Sequence, residues 1–259
     1  MDTVVCVKRV PFTQEADLEI DADKKGVRKD MLPFVINEWD NYAIEEAIQL
    51  KDRLGGTVTA VTVGGEEDEE VLRRCLVMGA DKAIRIDPGE LDMDAFAIST
   101  VLAEVIKGIP FDLIMTGVQA DDLNHGAVGV MLAEQLGVAR AAVVTSVEPE
   151  EGGATIKVEL EGGLDEVSKI TFPALFSIQT GINEPRYVSI MGIRKAAKKE
   201  IQVLQLADLK VAADDLAPRT IVEEMFLPPE TEGAEMLEGD PATVADAIIR
   251  IMKEKGVNV

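Results

Sequence analysis

The fold is decided by Phe111-Asp-Leu-Ile-Met-Thr116 and by the loop and helix start that follow it, Gly117-Val-Gln-Ala-Asp-Asp-Leu-Asn-His-Gly-Ala-Val-Gly129. The first six residues form an apolar run of strand length, and helical apolar periodicity begins after the loop. Gly126, Ala127 and Gly129 are small, so the first turn of that helix can present free backbone N–H groups to a phosphate. This layout predicts nucleotide binding at the carboxyl end of a strand.

Apolar runs of strand length alternate with helical periodicity along much of the chain. The predicted strands are Thr3–Val10, Thr57–Gly64, Ala83–Ile86, Phe111–Thr116 and Ala141–Val144, and the helices between them include Asp40–Leu54 and Glu66–Gly79. Near-continuous apolar strands joined by helices indicate a mostly parallel sheet with helices on both faces. We therefore predict a Rossmann-like α/β fold.

The pattern changes after this predicted sheet. Thr155–Leu160 alternates polar with apolar residues and is flanked by glycine pairs, so we expect it to pair with Val167–Phe172 in a small antiparallel excursion. The next apolar run, Ala174–Ile178, is expected to return to the main sheet.

A stretch rich in Pro and Glu follows Ile201 and has no periodicity over about 40 residues, which a compact domain does not easily absorb. Asp240-Pro241 then predicts the start of a final amphipathic helix. We expect residues 1–200 to form the nucleotide-binding domain and residues 201–259 to form an extended C-terminal arm that wraps a partner.

Composition excludes several classes of protein. Of the 259 residues, 47% are hydrophobic and 29% are charged, as in an ordinary globular protein. The net charge of −22 argues against binding to nucleic acid or anionic membranes. The chain's two cysteines fit a reducing compartment, and the N-terminus has no basic segment followed by an apolar one. We expect a cytoplasmic protein; a processed organelle-matrix form is the alternative.

Catalytic motifs are missing from the sequence. The single histidine, His125, excludes histidine-rich metal sites, the cysteines lack metal-ligand spacing, and there is no Gly-x-Ser-x-Gly elbow. The adjacent acids Asp121 and Asp122 fit either turn chemistry or acid–base catalysis. These features favour binding over turnover.

The glycine-containing loop matches neither a P-loop nor the Rossmann fingerprint, so an Asx-rich loop without a ligand is one interpretation. Two more strand ends with small residues, Cys6-Val7-Lys8 and Val63-Gly64-Gly65, favour the other interpretation, in which three strand ends enclose an adenosine. Because the loop itself has no Lys, backbone N–H groups would neutralise the phosphate.

A second informative segment lies at residues 183–199. It begins with Asn183-Glu-Pro-Arg-Tyr187 and contains five of the chain's 26 Lys and Arg residues beside two apolar residues that are expected to be exposed, Ile190 and Met191. The segment is either a solvated basic helix or a docking surface, in which an apolar anchor binds and the charges steer a partner. The predicted docking residues are Ile190, Met191, Arg194, Lys195, Lys198 and Lys199.

Four motifs occur in the order of a known family: Val7-Lys8-Arg9-Val10, Leu76-x-Met78-Gly-Ala-Asp81, Gly117-x-Gln-Ala120 and Asn183-Glu-Pro-Arg-Tyr187. Together they resemble the beta subunit of electron transfer flavoprotein over essentially the whole chain. The resemblance implies a C-terminal arm around an alpha subunit that holds most of the redox FAD. It also implies that the beta subunit binds AMP or, in electron-bifurcating members, a second FAD.

By position, the resemblance places residues from four segments in the nucleotide pocket, and Ile190 at the aliphatic anchor of the dehydrogenase recognition loop. The implied pocket residues are Cys6, Asn37, Glu38, Trp39, Asp40, Val63, Gly117, Val118, Gln119, Ala120, Asp121, Asp122, Leu123, Asn124, His125, Gly126, Ala127 and Val128.

This chain departs from the family pattern in the loop. Bifurcating members typically have Asp-Gly-Asp-Thr-Ala-Gln-Val-Gly-Pro, and the AMP-binding mitochondrial type has Asn-Gln-Thr-Gly, whereas this chain has Asn124-His125 and then Gly126-Ala-Val-Gly129. The identity of the ligand therefore stays open at this point. Trp39 replaces a Tyr or Phe and keeps an aromatic wall beside the adenine.

The turn after Val10 should approach the flavin of the alpha subunit, so the resemblance makes Phe12 and Thr13 flavin-proximal residues. Phe12 either packs on the isoalloxazine ring or closes the sheet edge.

The expected function is electron transport from acyl-CoA dehydrogenases to an acceptor such as a quinone oxidoreductase, as half of a heterodimer and without independent catalysis. One alternative is a bifurcating flavoprotein whose second FAD oxidises NADH. The other is a stand-alone adenine-nucleotide sensor.

Overall fold

The computed structural model describes residues 1–14, 16–189, 191–192, 196, 199–229 and 233–257. The chain forms two compact units, Met1–Glu223 and Glu224–Val259. The strands are β1 (Thr3–Cys6), β2 (Arg9–Pro11), β3 (Phe34–Ile36), β4 (Val58–Val63), β5 (Lys82–Asp87), β6 (Leu113–Gly117), β7 (Ala139–Glu150), β8 (Gly153–Leu160), β9 (Leu164–Thr171), β10 (Ala174–Ile178) and β11 (Gln202–Gln205). The main α-helices of the first unit are α1 (Glu38–Leu54), α2 (Glu69–Met78), α3 (Ala95–Ile106) and α4 (Val128–Leu136), and a short helix spans Ala213–Leu216.

Among the described residues, nine strands form one sheet in the order β11-β5-β4-β1-β6-β10-β7-β8-β9, and β2 pairs with β3 separately. The strands from β11 to β7 are parallel to their neighbours, and β7, β8 and β9 are antiparallel. The α/β fold, the antiparallel excursion and the return of Ala174–Ile178 to the main sheet are therefore confirmed.

Side chains alternate between the two faces of the sheet, as strand geometry requires. In β1, Val5 belongs to the apolar layer that includes α1 and α2, whereas Val4 belongs to the layer that includes α3 and α4. Leu113 and Ile114 of β6 divide between the two layers in the same way. Two buried layers therefore fix the central strands, on whose carboxyl ends the candidate site is built.

The strands differ from the prediction in three places. The run Thr3–Val10 is not one strand, because β1 ends at Cys6 and β2 belongs to the smaller sheet. Strand β7 continues past Val144 before the chain turns into β8. Strand β11 lies in the stretch expected to lack regular structure, and it pairs with β5 at the edge of the main sheet.

The second unit contains the predicted final helix, Pro241–Glu254. Asp240 caps this helix, because its Oδ1 atom accepts hydrogen bonds from the N–H groups of Ala242 at 2.9 Å and Thr243 at 3.0 Å. Pro241 occupies the first helical position, where no N–H is needed. None of the described helices is both long and apolar enough to cross a membrane.

Candidate functional site

Three neighbouring parallel strands, β4, β1 and β6, end at the same edge of the sheet. Their last residues are Val63, Cys6 and Gly117, so three of the predicted pocket segments come together here. The start of α1 supplies the fourth segment, because Asn37 and Asp40 bond to the chain that leaves β1 and β6. The carboxyl ends of parallel strands are where α/β proteins place their ligands.

Asn37 joins the exit of β1 to the loop after β6. Its backbone N–H donates to the carbonyl oxygen of Lys8 at 2.9 Å. Its Nδ2 atom donates to the carbonyl oxygen of Gln119 at 2.8 Å, and its Oδ1 atom accepts from the N–H of Asp121 at 3.0 Å. Because Asn37 is buried, these bonds are shielded from water and fix the loop against α1.

Asp40 is a buried carboxylate that holds two strand ends. Its Oδ2 atom accepts from the N–H of Lys8 at 2.8 Å, and its Oδ1 atom accepts from the N–H of Gly117 at 2.9 Å. Burial raises the pKa of Asp40 to about 7, although the bonds from Lys8 and Gly117 act in the opposite direction. The group therefore titrates near neutrality, unlike an exposed aspartate.

Gly117 must be glycine for this arrangement to form. A Cβ atom on Gly117 would lie 2.5 Å from Oδ1 of Asp40 and 2.5 Å from Cβ of Trp39. The absence of a side chain is what allows the start of α1 to approach the end of β6 so closely.

Two acidic side chains, those of Asp121 and Asp122, fix the loop through hydrogen bonds to neighbouring segments. Lys8 Nζ donates to the two carboxylate oxygens of Asp122 at 2.6 and 2.7 Å. The Oδ2 atom of Asp121 accepts from the N–H of Glu38 at 3.3 Å, at the start of α1. These contacts support the interpretation of Asp121 and Asp122 as structural groups of the turn.

The start of α4 is open to an anion. Ala127 occupies the position before the helix, and no side chain in the described part of the chain accepts a hydrogen bond from the free N–H groups there. The N–H groups of the first turn have no acceptor within the helix, which makes the turn suited to a phosphate. Gly129 is buried there, and a Cβ atom on it would lie 2.6 Å from Oγ1 of Thr116, so a glycine lets the turn sit against the strand end.

The predicted pocket residues differ in exposure. Cys6, Asn37 and Asp40 are buried. The exposed members, which lie at the rim, are Glu38, Asp121, Leu123, Asn124, His125 and Gly126. The half-buried members are Trp39, Val63, Gly117, Val118, Gln119, Ala120, Asp122, Ala127 and Val128.

Cys6 lies in the apolar layer that includes α3 and α4. Burial, and then the negative charge of Asp40, raise the pKa of its thiol to about 12. The thiol is therefore protonated at neutral pH and is a poor nucleophile.

Trp39 is held by a residue that sequence reasoning missed. Its Nε1 atom donates to Oε1 of Gln179 at 2.9 Å, and the same oxygen accepts from the N–H of Thr180 at 3.0 Å. Gln179 follows β10, the strand beside β6. The contact could not be predicted from the sequence, because Gln179 lies 140 positions from Trp39. The position of Gln179 just after an apolar strand was the one feature that could have placed it near the predicted pocket.

The predicted flavin-proximal residues lie on the smaller sheet, after β2. The N–H of Phe12 donates to the carbonyl oxygen of Pro33 at 2.8 Å, so its backbone extends the pairing of β2 with β3. Phe12 and Thr13 are half-buried. Beside them, the Arg9 guanidinium lies 4.0 Å from the centre of the Phe34 ring, a stacking contact that the sequence did not reveal.

The predicted docking residues are only partly within the described chain. Met191 is 67% exposed, and Lys199 is exposed while its Nζ atom donates to the carbonyl oxygen of Leu76 at 2.9 Å. Ile190, Arg194, Lys195 and Lys198 lie outside the described residues.

Comparison with known proteins identifies the family. Residues 28–209 match the family model described as electron transfer flavoprotein domain. The chain is 40% identical over 257 residues to the electron transfer flavoprotein subunit beta of Bacillus subtilis, covering 98% of each chain. It is 37% identical over 262 residues to the protein of the same name from Methylophilus methylotrophus, again covering 98% of each.

A third relative carries a different name. The caffeyl-CoA reductase-Etf complex subunit CarD of Acetobacterium woodii is 32% identical over 264 residues, which cover 99% of this chain and 100% of that one. The family match and these similarities over nearly the full length show that the chain belongs to the electron transfer flavoprotein family, and within it to the beta subunits.

Proposed function

We propose that this chain pairs with an alpha subunit to form a cytoplasmic electron transfer flavoprotein. In this proposal the alpha subunit holds most of a redox FAD, and the pocket at the ends of β1, β4 and β6 holds AMP as a structural ligand. The heterodimer carries electrons from acyl-CoA dehydrogenases to an acceptor such as a quinone oxidoreductase, and this chain is not an enzyme by itself. The observation that carries the proposal is the uncapped start of α4 beside three converging strand ends in a member of this family.

The charges around the pocket favour a monophosphate over a pyrophosphate. Lys8 and Arg9, the cations next to the end of β1, both have acidic partners: Lys8 pairs with Asp122 at 2.6 Å, and Arg9 lies 3.7 Å from Glu70. Backbone N–H groups are then the main donors for the ligand, and they balance one phosphate more readily than two. This supports AMP over a second FAD.

The second unit supports the pairing with an alpha subunit. No residue of helix Pro241–Glu254 is buried, and Ile248 and Ile249 are 45% and 43% exposed. An amphipathic helix whose apolar residues are only partly covered is typical of a segment that docks on a partner. We propose that the second unit, Glu224–Val259, embraces the alpha subunit through this helix, which disfavours the stand-alone sensor. The earlier part of the arm predicted at residues 201–259 belongs to the first unit, where β11 pairs with β5.

The pairing is tested by co-expression with the alpha subunit. Deletion of residues 224–259 should abolish co-purification of the two chains, while the circular dichroism spectrum of the shortened chain loses only the helical signal of Pro241–Glu254. Co-purification at the level of the full-length chain would contradict the role of the arm. A stable monomer of the full-length chain in the presence of the alpha subunit would favour the alternative function, a stand-alone adenine-nucleotide sensor.

Docking of the dehydrogenase is proposed to use Ile190 as the apolar anchor, together with Met191 and the cations Arg194, Lys195, Lys198 and Lys199. Ile190→Ala should weaken electron delivery from an acyl-CoA dehydrogenase to the heterodimer without lowering its flavin content. The matched control is Ile221→Ala, which removes an apolar side chain that is 78% exposed elsewhere in the first unit. Equal electron delivery by the two variants would contradict the docking assignment.

A second candidate function is electron bifurcation, in which the pocket holds a second FAD that oxidises NADH. The similarity to the subunit of a caffeyl-CoA reductase-Etf complex favours it. Stopped-flow mixing of the purified heterodimer with NADH separates the two candidates. Rapid flavin reduction by NADH supports bifurcation, whereas reduction only by an acyl-CoA dehydrogenase and its substrate supports the plain carrier.

A further inference from the structure

The segment after β10 is fastened to α1 mainly by Arg186, which pairs with Glu45 at 2.8 Å and also lies 3.5 Å from Asp52. Glu45 of α1 has a side chain only 4% exposed, and Arg186 binds it in a fork. Arg186 Nε donates to Oε2 at 2.8 Å and Nη2 donates to Oε1 at 3.0 Å, and the backbone N–H of Arg186 also donates to Oε2 at 3.1 Å. Three bonds to one carboxylate fix both the side chain and the backbone at residue 186.

The charge state of this pair is well defined. Burial alone would raise the pKa of Glu45, but hydrogen bonds from Arg186 and Gln49 outweigh it and lower the pKa. The carboxylate is therefore ionised at neutral pH and needs its cationic partner, because an unpaired buried charge is strongly unfavourable.

Arg186 also reaches α2. Its Nη1 atom donates to the carbonyl oxygen of Met78 at 3.0 Å, at the last residue of that helix, where a cation is electrostatically favoured. Asn183 adds a second attachment to α1, because its Nδ2 atom donates to Oε2 of Glu46 at 3.0 Å and to the carbonyl oxygen of Tyr42 at 3.2 Å. The chain just before Tyr187 is thus held by both helices.

The chain after Arg186 has an inner and an outer side. On the inner side, Val188 and Ala196 are buried, and a Cβ atom on Gly192 would lie 3.0 Å from Cγ1 of Val77 in α2. On the outer side, Tyr187 and Met191 are 90% and 67% exposed. The described residues of this segment therefore rest on α2 and leave the side chains of Tyr187 and Met191 uncovered.

We infer that Arg186 is a positioning residue, which holds Tyr187 and Met191 outward on the end of α2 as a preformed contact surface for the electron donor. This inference deepens the docking part of the proposed function and rests on it. A surface that is ordered before its partner arrives loses less conformational entropy on binding. Lys cannot replace Arg186, because an ammonium group cannot bond in a planar fork to Glu45 and reach the carbonyl of Met78 at once.

The test uses the heterodimer with Arg186→Lys and has two readouts. Hydrogen exchange of the backbone amides at residues 187–189, 191 and 192 should become ~10-fold faster, while exchange at residues 117–129 stays at the wild-type rate. The KM of an acyl-CoA dehydrogenase for the heterodimer should rise ~10-fold with kcat unchanged, because binding rather than electron transfer is weakened. The control is Arg140→Lys, which alters an exposed pair with Glu134 on another part of the sheet.

Gly192→Ala supplies a second variant, which leaves the ion pair intact. Its new methyl group should displace the segment from α2 and raise the same KM, and Val77→Ala in the same chain should restore it by removing the atom that the methyl group meets.

Each outcome of these measurements decides one part of the inference. Wild-type exchange at residues 187–189, 191 and 192 in Arg186→Lys would overturn the positioning role. Faster exchange with an unchanged KM would overturn the role of this surface in docking. If the dehydrogenase does not reduce even the wild-type heterodimer, the proposed function fails, and the exchange measurement still decides whether Arg186 positions the segment.

Discussion

The Oδ1 atom of Asp40 accepts a hydrogen bond from the backbone N–H of Gly117 at 2.9 Å, across a separation of 77 residues in the chain. The other oxygen of the same carboxylate holds the N–H of Lys8. One buried side chain therefore adds to the sheet pairing of β1 with β6 in fixing the distance between the ends of these strands. The candidate pocket depends on that distance, because its loop and helix start follow β6 directly.

Asp40→Asn should lower the amount of nucleotide that stays bound through purification. Each oxygen of Asp40 accepts from a backbone N–H, whereas an asparagine has one oxygen and must turn its NH₂ group toward the other donor. We expect bound nucleotide to fall at least ~5-fold, in line with a loss of about 1–3 kcal/mol for an unsatisfied buried donor. Asp165→Asn, at an exposed position of β9, is the control. Equal nucleotide content in both variants would show that the carboxylate does not set the pocket.

The pH dependence of stability should carry the signature of Asp40. Its pKa is raised to about 7 in the folded protein, mainly by burial, so between the ordinary value for an aspartate and pH 7 the folded state keeps a proton that the unfolded state has lost. Stability should therefore fall as pH rises through this window, by up to about 1.4 kcal/mol per pH unit from this group. Urea unfolding at about pH 5 and about pH 8 checks this. The free energy of unfolding of wild type, measured relative to that of Asp40→Asn, should be lower at about pH 8 than at about pH 5. Parallel pH profiles for the two proteins would contradict it.

Gly117→Ala should destabilise the first unit by about 1–3 kcal/mol, as expected when a methyl group is forced into a filled space. The new Cβ atom would meet both Asp40 and Trp39 at 2.5 Å. The matched control is Gly233→Ala, where nothing lies within 4 Å of the new atom, and we expect a change within about 0.5 kcal/mol. Thermal unfolding of the two variants gives the comparison, and a loss of stability equal to that of the control would refute the steric argument.

Asp122→Asn should tighten AMP binding. The substitution removes a negative charge from the loop and frees Lys8, whose Nζ atom is bonded to Asp122 at 2.6 Å. Because exposed or partly exposed ion pairs contribute up to about 1 kcal/mol, we expect a gain of ~2- to 5-fold in affinity. Trp39 is the only tryptophan in the sequence and lies among the predicted pocket residues, so its fluorescence can follow AMP titration of nucleotide-stripped protein. Weaker binding by Asp122→Asn would mean that the Lys8–Asp122 pair is needed to shape the site.

Local sequence signals were sufficient for the framework of the fold. The stretch from Phe111 to Gly129 predicted β6, the loop and the start of α4, because an apolar run, a polar loop and helical periodicity follow one another within a few residues. The excursion of β8 and β9 was also predictable, since glycine pairs mark its turns. In contrast, β11 was missed because an edge strand with mostly exposed residues has no apolar run.

The contacts that shape the candidate site were largely invisible in the sequence. The bonds of Asn37 to Gln119 and Asp121, and that of Trp39 to Gln179, join residues that are 82, 84 and 140 positions apart. The break between β1 and β2 has the same cause, because Lys8 bonds to Asp40 rather than continuing the strand. Local propensity cannot report pairings of this kind, which are set by the tertiary fold.

The nucleotide content of the purified heterodimer tests the proposed function most directly. The chain is co-expressed with its alpha subunit, the complex is denatured, and the released FAD and AMP are quantified by chromatography against the protein concentration. We predict one FAD and one AMP per heterodimer. Two FAD and no AMP would contradict this prediction and would make the pocket at the ends of β1, β4 and β6 a redox site.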